Sequence, residues 1–328
     1  MTQAMRVECF GDPSAGVHIH SQTIRPARGR AIVRITHASV GSTDIAAVRG
    51  DYLLQPFTGF TPGYDFVGVI ENLESVRHSD LQIGQRVAGV LPRMGTHATH
   101  IAVAPSLVVP VPDELDSAIA ATAPLDAVTA RFAISYVGSE EGSLLIQGAG
   151  GAVGSWAVQF AKALGYSVFG TASQRTRGLA ERLGATVLDY HDPDWMDRLM
   201  SATHGGVTGA IDHTGSRALR HAMAPRGRIV RIAFDDESKH QRLSTATGFL
   251  AAGLHRCSRP NERMCSVPLI VATRRAAYRN VLASIFRGLA IGSLAAPRAI
   301  EHPFGGYADA LEHASHGDPG TKTILVMP

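Results

Sequence analysis

The sequence predicts an α/β protein with a doubly wound parallel sheet and a second, β-rich domain. Two observations predict the parallel sheet: a glycine-rich turn that joins an apolar run to a helical stretch, and short apolar runs that alternate with helical stretches after it. A third observation predicts the β-rich domain, because residues 1–110 contain short alternating strands with frequent Gly and Pro turns. At 328 residues the chain can bury two hydrophobic cores.

The glycine-rich turn lies in residues 144–154, which read LLIQGAGGAVG. The run 144–146 predicts a strand, and the stretch 155–164 predicts a helix that Gly165 ends. Strand, glycine turn and helix in this order are typical of a Rossmann-like dinucleotide-binding motif, whose helix N-terminus binds a pyrophosphate. A glycine-rich loop without a ligand is the alternative. The motif predicts cofactor binding by Ala149, which replaces its usual first glycine, and by Gly150, Gly151, Ala152, Val153 and Gly154.

The alternation of strands and helices continues after the turn. The predicted strands are 167–170, 186–189, 209–212 and 228–232, and helical stretches near 176–183, 195–201 and 216–223 separate them. Such alternation predicts right-handed crossovers and a parallel sheet. The next stretch, 235–265, has mixed charge and no clear period.

The two ends of the chain predict a domain that the C-terminus completes. Strands are predicted at 31–35, 66–70 and 269–271, a helix at about 275–289, and a last strand at 321–326 that returns to the first domain. We therefore expect a β-rich catalytic domain over 1–118, a nucleotide-binding domain over 119–268, and a C-terminal segment over 269–328 that rejoins the catalytic domain.

Composition excludes several classes of protein. An apolar content of 45% and a charged content of 18% fit an ordinary soluble protein rather than a disordered one. A net charge of +3, from 31 basic and 28 acidic residues, is too balanced to predict nucleic-acid binding. Cys9, Cys257 and Cys265 form no C-x-x-C pair and indicate a reducing compartment. Without a signal segment or a membrane-length apolar run, we expect a cytoplasmic protein with no membrane partner.

With these motifs the chain resembles the medium-chain dehydrogenase/reductase superfamily, in its zinc-independent NADPH:quinone oxidoreductase-like branch. The resemblance implies a GroES-like catalytic domain, a Rossmann-like domain, an NADPH cleft between them and, in most members, a homodimer. The matching pieces are RGDY at 49–52, PGYDFVGVI at 62–70, GQRV at 84–87, PLDAVTA at 124–130 and the glycine turn.

Two positions depart from the zinc-dependent members of that superfamily. Those members have a Cys where this chain has Gly41 and a His where it has Tyr64. Neither Gly nor Tyr is an ordinary catalytic zinc ligand, so we expect no metal. Quinone-reducing members often have an Asn at the position of Gly41. Its absence here argues against quinone reduction but not against hydride transfer.

The nucleotide preference follows from residues 170–177, which read GTASQRTR at the end of the second strand of the motif. An NAD site usually has an acid there, whereas a serine and two arginines suit the 2′-phosphate of NADP(H). The resemblance assigns the phosphate to Ser173 and Arg177, with Tyr190 beside them, and the nicotinamide ribose to Thr129. Arg175 would join the phosphate site, and exposed, solvated arginines are the alternative.

The chemistry needs little from the protein beyond position and polarity, since the cofactor supplies the hydride. Negative charge develops on the substrate oxygen, and Tyr52 and Tyr64 are the phenols that the resemblance places near the nicotinamide. Asp44 is as readily a helix cap as a proton relay. The sequence thus predicts a reductase for a small-molecule quinone or enone, with secondary metabolism as one setting. An NADPH-binding regulatory or RNA-binding protein with little turnover is the alternative, and the modest charge argues against RNA.

Overall fold

The computed structural model describes residues 1–25, 27–76, 80–138, 142–233 and 261–328, and it divides into two compact units. The first unit contains Met1–Val128 and Val267–Pro328, and the second contains Thr129–Ser266. The second unit is therefore inserted in the chain of the first. None of the helices among the described residues is long and apolar enough to cross a membrane.

The described strands are β1 (Thr2–Val7), β2 (Val17–Gln22), β3 (Ala31–Val40), β4 (Asp65–Asn72), β5 (Arg86–Val90), β6 (His100–Val103), β7 (Val108–Pro110), β8 (Ser143–Ile146), β9 (Ser167–Thr171), β10 (Thr186–Leu188), β11 (Val207–Asp212), β12 (Met223–Arg231), β13 (Glu262–Met264), β14 (Arg298–Pro303) and β15 (Thr321–Val326). The described helices are α1 (Pro13–Gly16), α2 (Ser42–Arg49), α3 (Ser117–Ala121), α4 (Asp126–Val137), α5 (Ala152–Ala163), α6 (Gln174–Arg182), α7 (Trp195–Ala202), α8 (Val267–Thr273), α9 (Arg275–Ala290) and α10 (Tyr307–His316). Residues 218–222 form a 3₁₀ helix within the predicted helical stretch 216–223.

The second unit contains a six-stranded sheet in the order β10-β9-β8-β11-β12-β13, and every neighbouring pair is parallel. Because its central strands are covered on both faces, they are continuous apolar runs, and Leu144, Leu145 and Ile146 are fully buried. The strand order reverses between β8 and β11. In open parallel sheets, ligands bind at the carboxyl ends of the strands at such a reversal.

The first unit contains a mostly antiparallel sheet in the order β14-β15-β3-β4-β5-β7, with β6 paired to β3. The last strand of the chain lies in its interior, since β15 pairs with β3 from Thr323 opposite Val40 to Val326 opposite His37. Residues 321–326, for which a return to the first domain was predicted, therefore pair with a strand of the first unit.

Tyr278 on α9 bridges two strands of the first unit. Its hydroxyl accepts the Val90 amide (2.7 Å) and donates to the Leu107 carbonyl (3.3 Å), at the place where the pairing of β5 and β7 ends. Burial raises the pKa of Tyr278, so the phenol stays neutral. One side chain thus satisfies two backbone groups that the sheet leaves unpaired.

The predicted strand at 269–271 is wrong, because these residues lie in helix α8. Val267, Ile270 and Val271 are the buried positions of α8, with the spacing of one helical face, whereas Leu269 is 63% exposed. A three-residue apolar run cannot distinguish a strand from one side of a short helix. Of the stretch 235–265, residues 235–260, including Cys257, lie outside the described residues.

Candidate functional site

The glycine turn connects β8 to α5 and is held by the end of the neighbouring strand, β9. The Ala149 amide donates to the Thr171 carbonyl (2.9 Å), and the Gly148 amide donates to the Thr171 hydroxyl (3.2 Å). Gly148 itself has a φ of +67°, which favours glycine. Thr171 therefore fixes the path of the turn from the next strand of the sheet.

The three glycines of the motif differ in what surrounds them. A Cβ at Gly154 would overlap the Gly148 carbonyl oxygen, and a Cβ at Gly150 would lie 2.6 Å from the Thr176 Cβ. Gly151 is exposed, and a Cβ there would meet only the Gly148 oxygen, at 3.1 Å. Gly150 and Gly154 thus allow close packing inside the unit, whereas Gly151 faces outward.

The open side of the turn presents backbone donors. Helix α5 has no side-chain cap at Gly151, and Ala152 is exposed while Val153 is half-buried. The first amides of a helix have no partner within it and carry the positive end of the helix dipole. This surface therefore suits a phosphate group.

The first turn of α6 lies beside the glycine turn, because Gly150 packs directly on Thr176. Ser173 is the N-cap of α6, and its hydroxyl is 3.1 Å from the Thr176 hydroxyl. Arg175 and Arg177 are exposed, and Arg177 Nε donates to Glu181 Oε1 at 2.7 Å. The structure therefore brings Ser173 close to the glycine turn, with Thr176 between them. Thr176 was not among the predicted site residues, although the Ser-x-x-Thr spacing of a helix start pointed to it.

Tyr190 lies at the same edge of the sheet as Ser173. Leu188, the last residue of β10, pairs with Thr171, the last residue of β9, and Tyr190 and Ser173 each follow two residues later. The Tyr190 ring is half exposed and lies 4.2 Å from the ring of His191. A flat, accessible ring at this edge is compatible with an adenosine phosphate, and its role stays a prediction.

Residues at the end of β11 complete this edge, and the sequence analysis missed them. A Cβ at Gly148 would lie 3.0 Å from the His213 ring, and the Thr214 hydroxyl donates to the Gln147 side-chain oxygen (3.0 Å). Asp212 is fully buried, forms an ion pair with Arg231 and accepts the Gly215 amide (2.9 Å). The buried ion pair therefore holds the loop that carries His213 next to the glycine turn.

Thr129 lies on α4, and its carbonyl accepts the Cys265 thiol (3.8 Å). Burial raises the pKa of Cys265 to about 12, so this thiol is an unreactive packing group. The predicted contact of Thr129 with the nicotinamide ribose is not tested by this geometry and stays a prediction.

Tyr52 and Tyr64 meet in the first unit. Their hydroxyl oxygens are 2.9 Å apart, and their rings are perpendicular with centroids 6.2 Å apart. Burial raises the pKa of both phenols, so both stay neutral donors. Tyr64 is buried and Tyr52 is half-buried, so Tyr52 is the member of the pair that reaches the surface. Tyr64 can donate to Tyr52 and leave the Tyr52 proton pointing outward.

Asp44 is a structural anchor in this geometry. Its Oδ2 accepts the Gly41 amide (3.0 Å) and its Oδ1 accepts the Gly63 amide (2.9 Å). The carboxylate thus caps the start of α2 and ties that start to the turn before Tyr64. Of the two roles that the sequence left open, cap and proton relay, the contacts favour the cap.

A buried charged cluster lies next to these residues and was missed by the sequence analysis. Lys322 Nζ is 2.6 Å from Asp126 Oδ2, and both side chains are almost wholly buried. Asp65 accepts the Ser39 hydroxyl (2.7 Å) and the Leu125 amide (3.0 Å). Burial raises the pKa of Asp65 to about 7, and the Lys322 charge opposes that rise.

Lys322 also occupies the space beside Gly41. A Cβ at Gly41 would lie 3.1 Å from Lys322 Nζ. Burial lowers the pKa of Lys322, but the carboxylates of Asp126 and Asp65 outweigh burial, and the net shift is upward. The lysine is therefore a permanent cation at the point where the side chain of residue 41 would project.

Two family models match the chain. The alcohol dehydrogenase GroES-like domain matches residues 27–113, and the zinc-binding dehydrogenase domain matches residues 152–258. The chain belongs to the medium-chain dehydrogenase/reductase superfamily. Membership confirms the predicted superfamily and the predicted pairing of a Rossmann-like parallel sheet with a GroES-like domain.

Among curated relatives, the chain is 27% identical over 326 residues to a mycocerosic acid synthase-like polyketide synthase of Mycobacterium tuberculosis. That match covers 93% of this chain and 14% of the synthase. The chain is also 30% identical over 212 residues to the trans-enoyl reductase caaB of Aspergillus niger, covering 57% of each protein. The chain therefore spans only part of the length of the curated relatives that it matches.

Among solved structures, the JamJ enoyl reductase in its apo form has a TM-score of 0.85 at 19% identity, with both chains fully covered. Quinone oxidoreductases are among the further neighbours. At 19–22% identity, these structures show that the chain shares their fold.

Proposed function

We propose that this chain is a zinc-independent, NADPH-dependent reductase that transfers hydride to a carbon–carbon double bond conjugated with a carbonyl. Quinones are acceptors for the same mechanism. The observation that carries the proposal is the glycine turn, because it leaves Gly151 and the uncapped start of α5 exposed at the strand-order reversal. A bound nicotinamide cofactor would supply the hydride.

The residues of the second unit fit such a cofactor. The amides of Ala152 and Val153 would bind the pyrophosphate, where a side chain at Gly151 would block the approach. The fit requires no rearrangement of Gly150 or Gly154, whose missing side chains are already used in packing. His213 would lie against the same face of the turn.

Preference for NADPH is supported by the charges around the start of α6. Ser173 and Thr176 offer hydroxyl donors, and Arg175 and Arg177 carry positive charge within the same helical turn. An exposed ion pair such as Arg177–Glu181 contributes at most about 1 kcal/mol, so a phosphate could replace the Glu181 carboxylate at low cost. The end of β9 has no carboxylate that would bind the 2′-hydroxyl of NADH.

Zinc independence is supported by what stands at the two ligand positions of zinc-dependent members. Gly41 has no side chain, and the Tyr64 hydroxyl is a neutral phenol hydrogen-bonded to Tyr52. The Lys322 ammonium beside Gly41 would repel a divalent cation. A homodimer, which the resemblance implies, is a further part of the proposal that molar mass in solution would test.

The choice of an enone is supported by the curated relatives, whose names include trans-enoyl reductases and polyketide synthases. Reduction of an activated double bond during the assembly of a secondary metabolite would account for both kinds of relative. In the first unit, the Tyr52 hydroxyl is the neutral donor that would bind the substrate carbonyl.

The test uses NADPH that carries deuterium at the transferable position of its nicotinamide. The protein is incubated with 2-enoyl thioesters, simple enones and quinones, and the products are analysed by mass spectrometry and NMR. We expect NADPH oxidation with deuterium at the β-carbon of the enone product. Deuterium-free hydroquinone as the sole product would instead assign quinone reduction. NADPH binding with no turnover of any acceptor would refute the reductase and favour a regulatory protein.

A further inference from the structure

The buried lysine of the first unit has a role that the proposed function does not use. We propose that Lys322 is a catalytic residue: its ammonium donates a hydrogen bond to the carbonyl oxygen of the substrate and stabilises the negative charge that hydride transfer creates there. This inference rests on the proposed function and adds to it the group that holds the oxyanion.

The position of Lys322 carries the inference. Gly41 and Gly63 donate to the two oxygens of one carboxylate, Asp44, so the start of α2 and the turn before Tyr64 lie side by side. Lys322 Nζ lies where a Cβ of Gly41 would point, 3.1 Å from it. The ammonium is therefore in the same small region as the tyrosine pair.

The absence of a side chain at Gly41 gives the ammonium its access. Lys322 is 7% exposed, whereas Gly41 is partly exposed and has an extended backbone (φ −147°) that any residue adopts. No conformational requirement therefore explains a glycine at this position. A side chain there would stand over the ammonium, and its absence leaves the space beside Nζ unfilled by residue 41.

The charges around Lys322 make it a suitable donor. Asp126 accepts one of the three N–H groups of the ammonium, and it orients the lysine. Burying a lysine is costly, and an apolar pair of similar size would stabilise a fold at least as well as this ion pair. A cation kept in a low-dielectric region interacts strongly with a negative oxygen that forms beside it.

The electron balance of the step needs no further reagent. The hydride would leave a C–H bond of the reduced nicotinamide, which becomes NADP⁺, and would form a C–H bond at the β-carbon. The electron pair of the carbon–carbon double bond then moves toward the carbonyl carbon, and the carbonyl π pair moves to its oxygen, which becomes negative. Lys322 keeps its proton and holds that oxygen by a hydrogen bond. The resulting enolate is then protonated at its α-carbon by water.

The first test compares Lys322→Met with Lys322→Arg and with Lys162→Met, which changes an exposed lysine of α5. We expect Lys322→Met to lower kcat on an enone by about 100-fold or more, the usual loss for one oxyanion donor. Lys322→Arg should retain at least a tenth of the activity, and Lys162→Met should retain all of it. NADPH affinity should stay within twofold in each variant. A loss of NADPH affinity at unchanged kcat would assign Lys322 to the cofactor and overturn the proposal.

The second test does not depend on turnover. The holoprotein with NADP⁺ is titrated with 4-nitrophenol, whose yellow anion imitates an enolate oxygen. Bound probe should ionise at a pH at least one unit lower than free probe in the wild-type protein, and this shift should be absent in Lys322→Met. If the probe ionises at the same pH in both proteins, the proposal for Lys322 is overturned. If its ionisation shifts in the wild-type protein but no enone is reduced, the proposed reductase function is refuted and the anion site at Lys322 stands. If Lys322→Met does not fold, the double variant Lys322→Met/Asp126→Leu is used in its place in both tests, because it also removes the buried carboxylate that the single variant leaves unpaired.

Discussion

The glycine turn of the second unit and the charged cluster of the first unit are both suited to bind negative charge, and they are built differently. The turn uses backbone amides at the start of α5 and depends on missing side chains at Gly150, Gly151 and Gly154. The cluster uses a side-chain cation, Lys322, held by Asp126 on a different part of the chain. The turn therefore suits a ligand whose charge is permanent. The cluster suits a charge that appears only during the reaction, because its cation is fixed in place beforehand.

This contrast predicts that the two sites fail in different ways. Substitution in the turn should change binding or folding, since its parts are backbone and packing. Substitution in the first unit should change the rate, since its parts act on a transient charge. Three experiments test that division, beginning with the largest expected effect, and a fourth measures how the stability of the charged cluster depends on pH.

The glycines of the turn should separate folding from binding. Gly154→Ala places a Cβ on the Gly148 carbonyl and should lower the free energy of unfolding by about 3 kcal/mol or more. Gly151→Val should fold with a melting temperature within a few degrees of wild type but raise the NADPH dissociation constant about 100-fold, or roughly 2.7 kcal/mol. Thermal unfolding and fluorescence titration measure the two effects, with Ser155→Ala as the control. Unchanged NADPH affinity in Gly151→Val would remove the turn from the cofactor site.

The tyrosine pair should affect turnover and leave cofactor affinity alone. Because Tyr52 reaches the surface and Tyr64 supports it, Tyr52→Phe should lower kcat by about tenfold to a hundredfold, or roughly 1.4–2.7 kcal/mol. Tyr64→Phe should have a smaller effect of the same kind. Steady-state kinetics with an enone and NADPH titrations check both. Wild-type rates in both single variants and in the double variant would make the pair a packing feature.

The basic residues at the start of α6 should decide between the two cofactors. Arg177→Ala should raise the NADPH dissociation constant about tenfold and leave NADH affinity almost unchanged, since a charge-assisted contact contributes about 1.5–3 kcal/mol. Glu181→Gln is the matched control, because it removes the partner of Arg177 and keeps the arginine. That variant should bind NADPH as well as wild type or better. An equal loss for NADPH and NADH in Arg177→Ala would show that the residue does not contact the 2′-phosphate.

The last experiment concerns the stability of the fold and its dependence on pH in the charged cluster. Burial raises the pKa of Asp65 from 3.8 to about 7, so the fold favours the neutral carboxyl group. The stability that the neutral Asp65 carboxyl group contributes to the fold is fully present below about pH 4 and is lost as the pH rises to about 7. Asp65→Asn is neutral throughout, and it should gain stability relative to wild type across this window, by up to roughly 1.4 kcal/mol per pH unit. Urea unfolding at pH 4.5, 6 and 8 measures the difference, with the exposed Asp113→Asn as control. If the difference in unfolding free energy between Asp65→Asn and wild type does not change with pH, the pKa of Asp65 is not raised by burial.

The second unit was largely predictable from the sequence because its signals are local. The turn, the helix after it and the alternating strands each depend on residues within one short stretch, and the observed strands overlap every predicted one from 144 to 232. The same locality explains the error at 269–271, where a run of three apolar residues carries no period. Thr176 was missed because its role comes from a contact with Gly150, not from its own neighbours in sequence.

The first unit was less predictable because its cluster joins distant residues. Ser39, Asp65, Asp126 and Lys322 come from two strands near the start, the first turn of α4 and the last strand. No pattern in one stretch links them, and a lysine in a terminal strand is ordinarily expected at the surface. The tyrosines were identified through the resemblance, and their mutual hydrogen bond only through the structure.

The insertion of the second unit in the chain of the first also sets an order of events during synthesis. Strand β3 is made before the second unit, but the strand that completes one of its edges, β15, is made after it. The second unit is contiguous from Thr129 to Ser266, so all of its strands are available before the first unit can close. Until then β3 presents an unpaired edge to other nascent chains. The barrier to productive folding should therefore lie in the delay before β15 arrives, and slow translation between β3 and β15, or truncation before β15, should increase aggregation through β3.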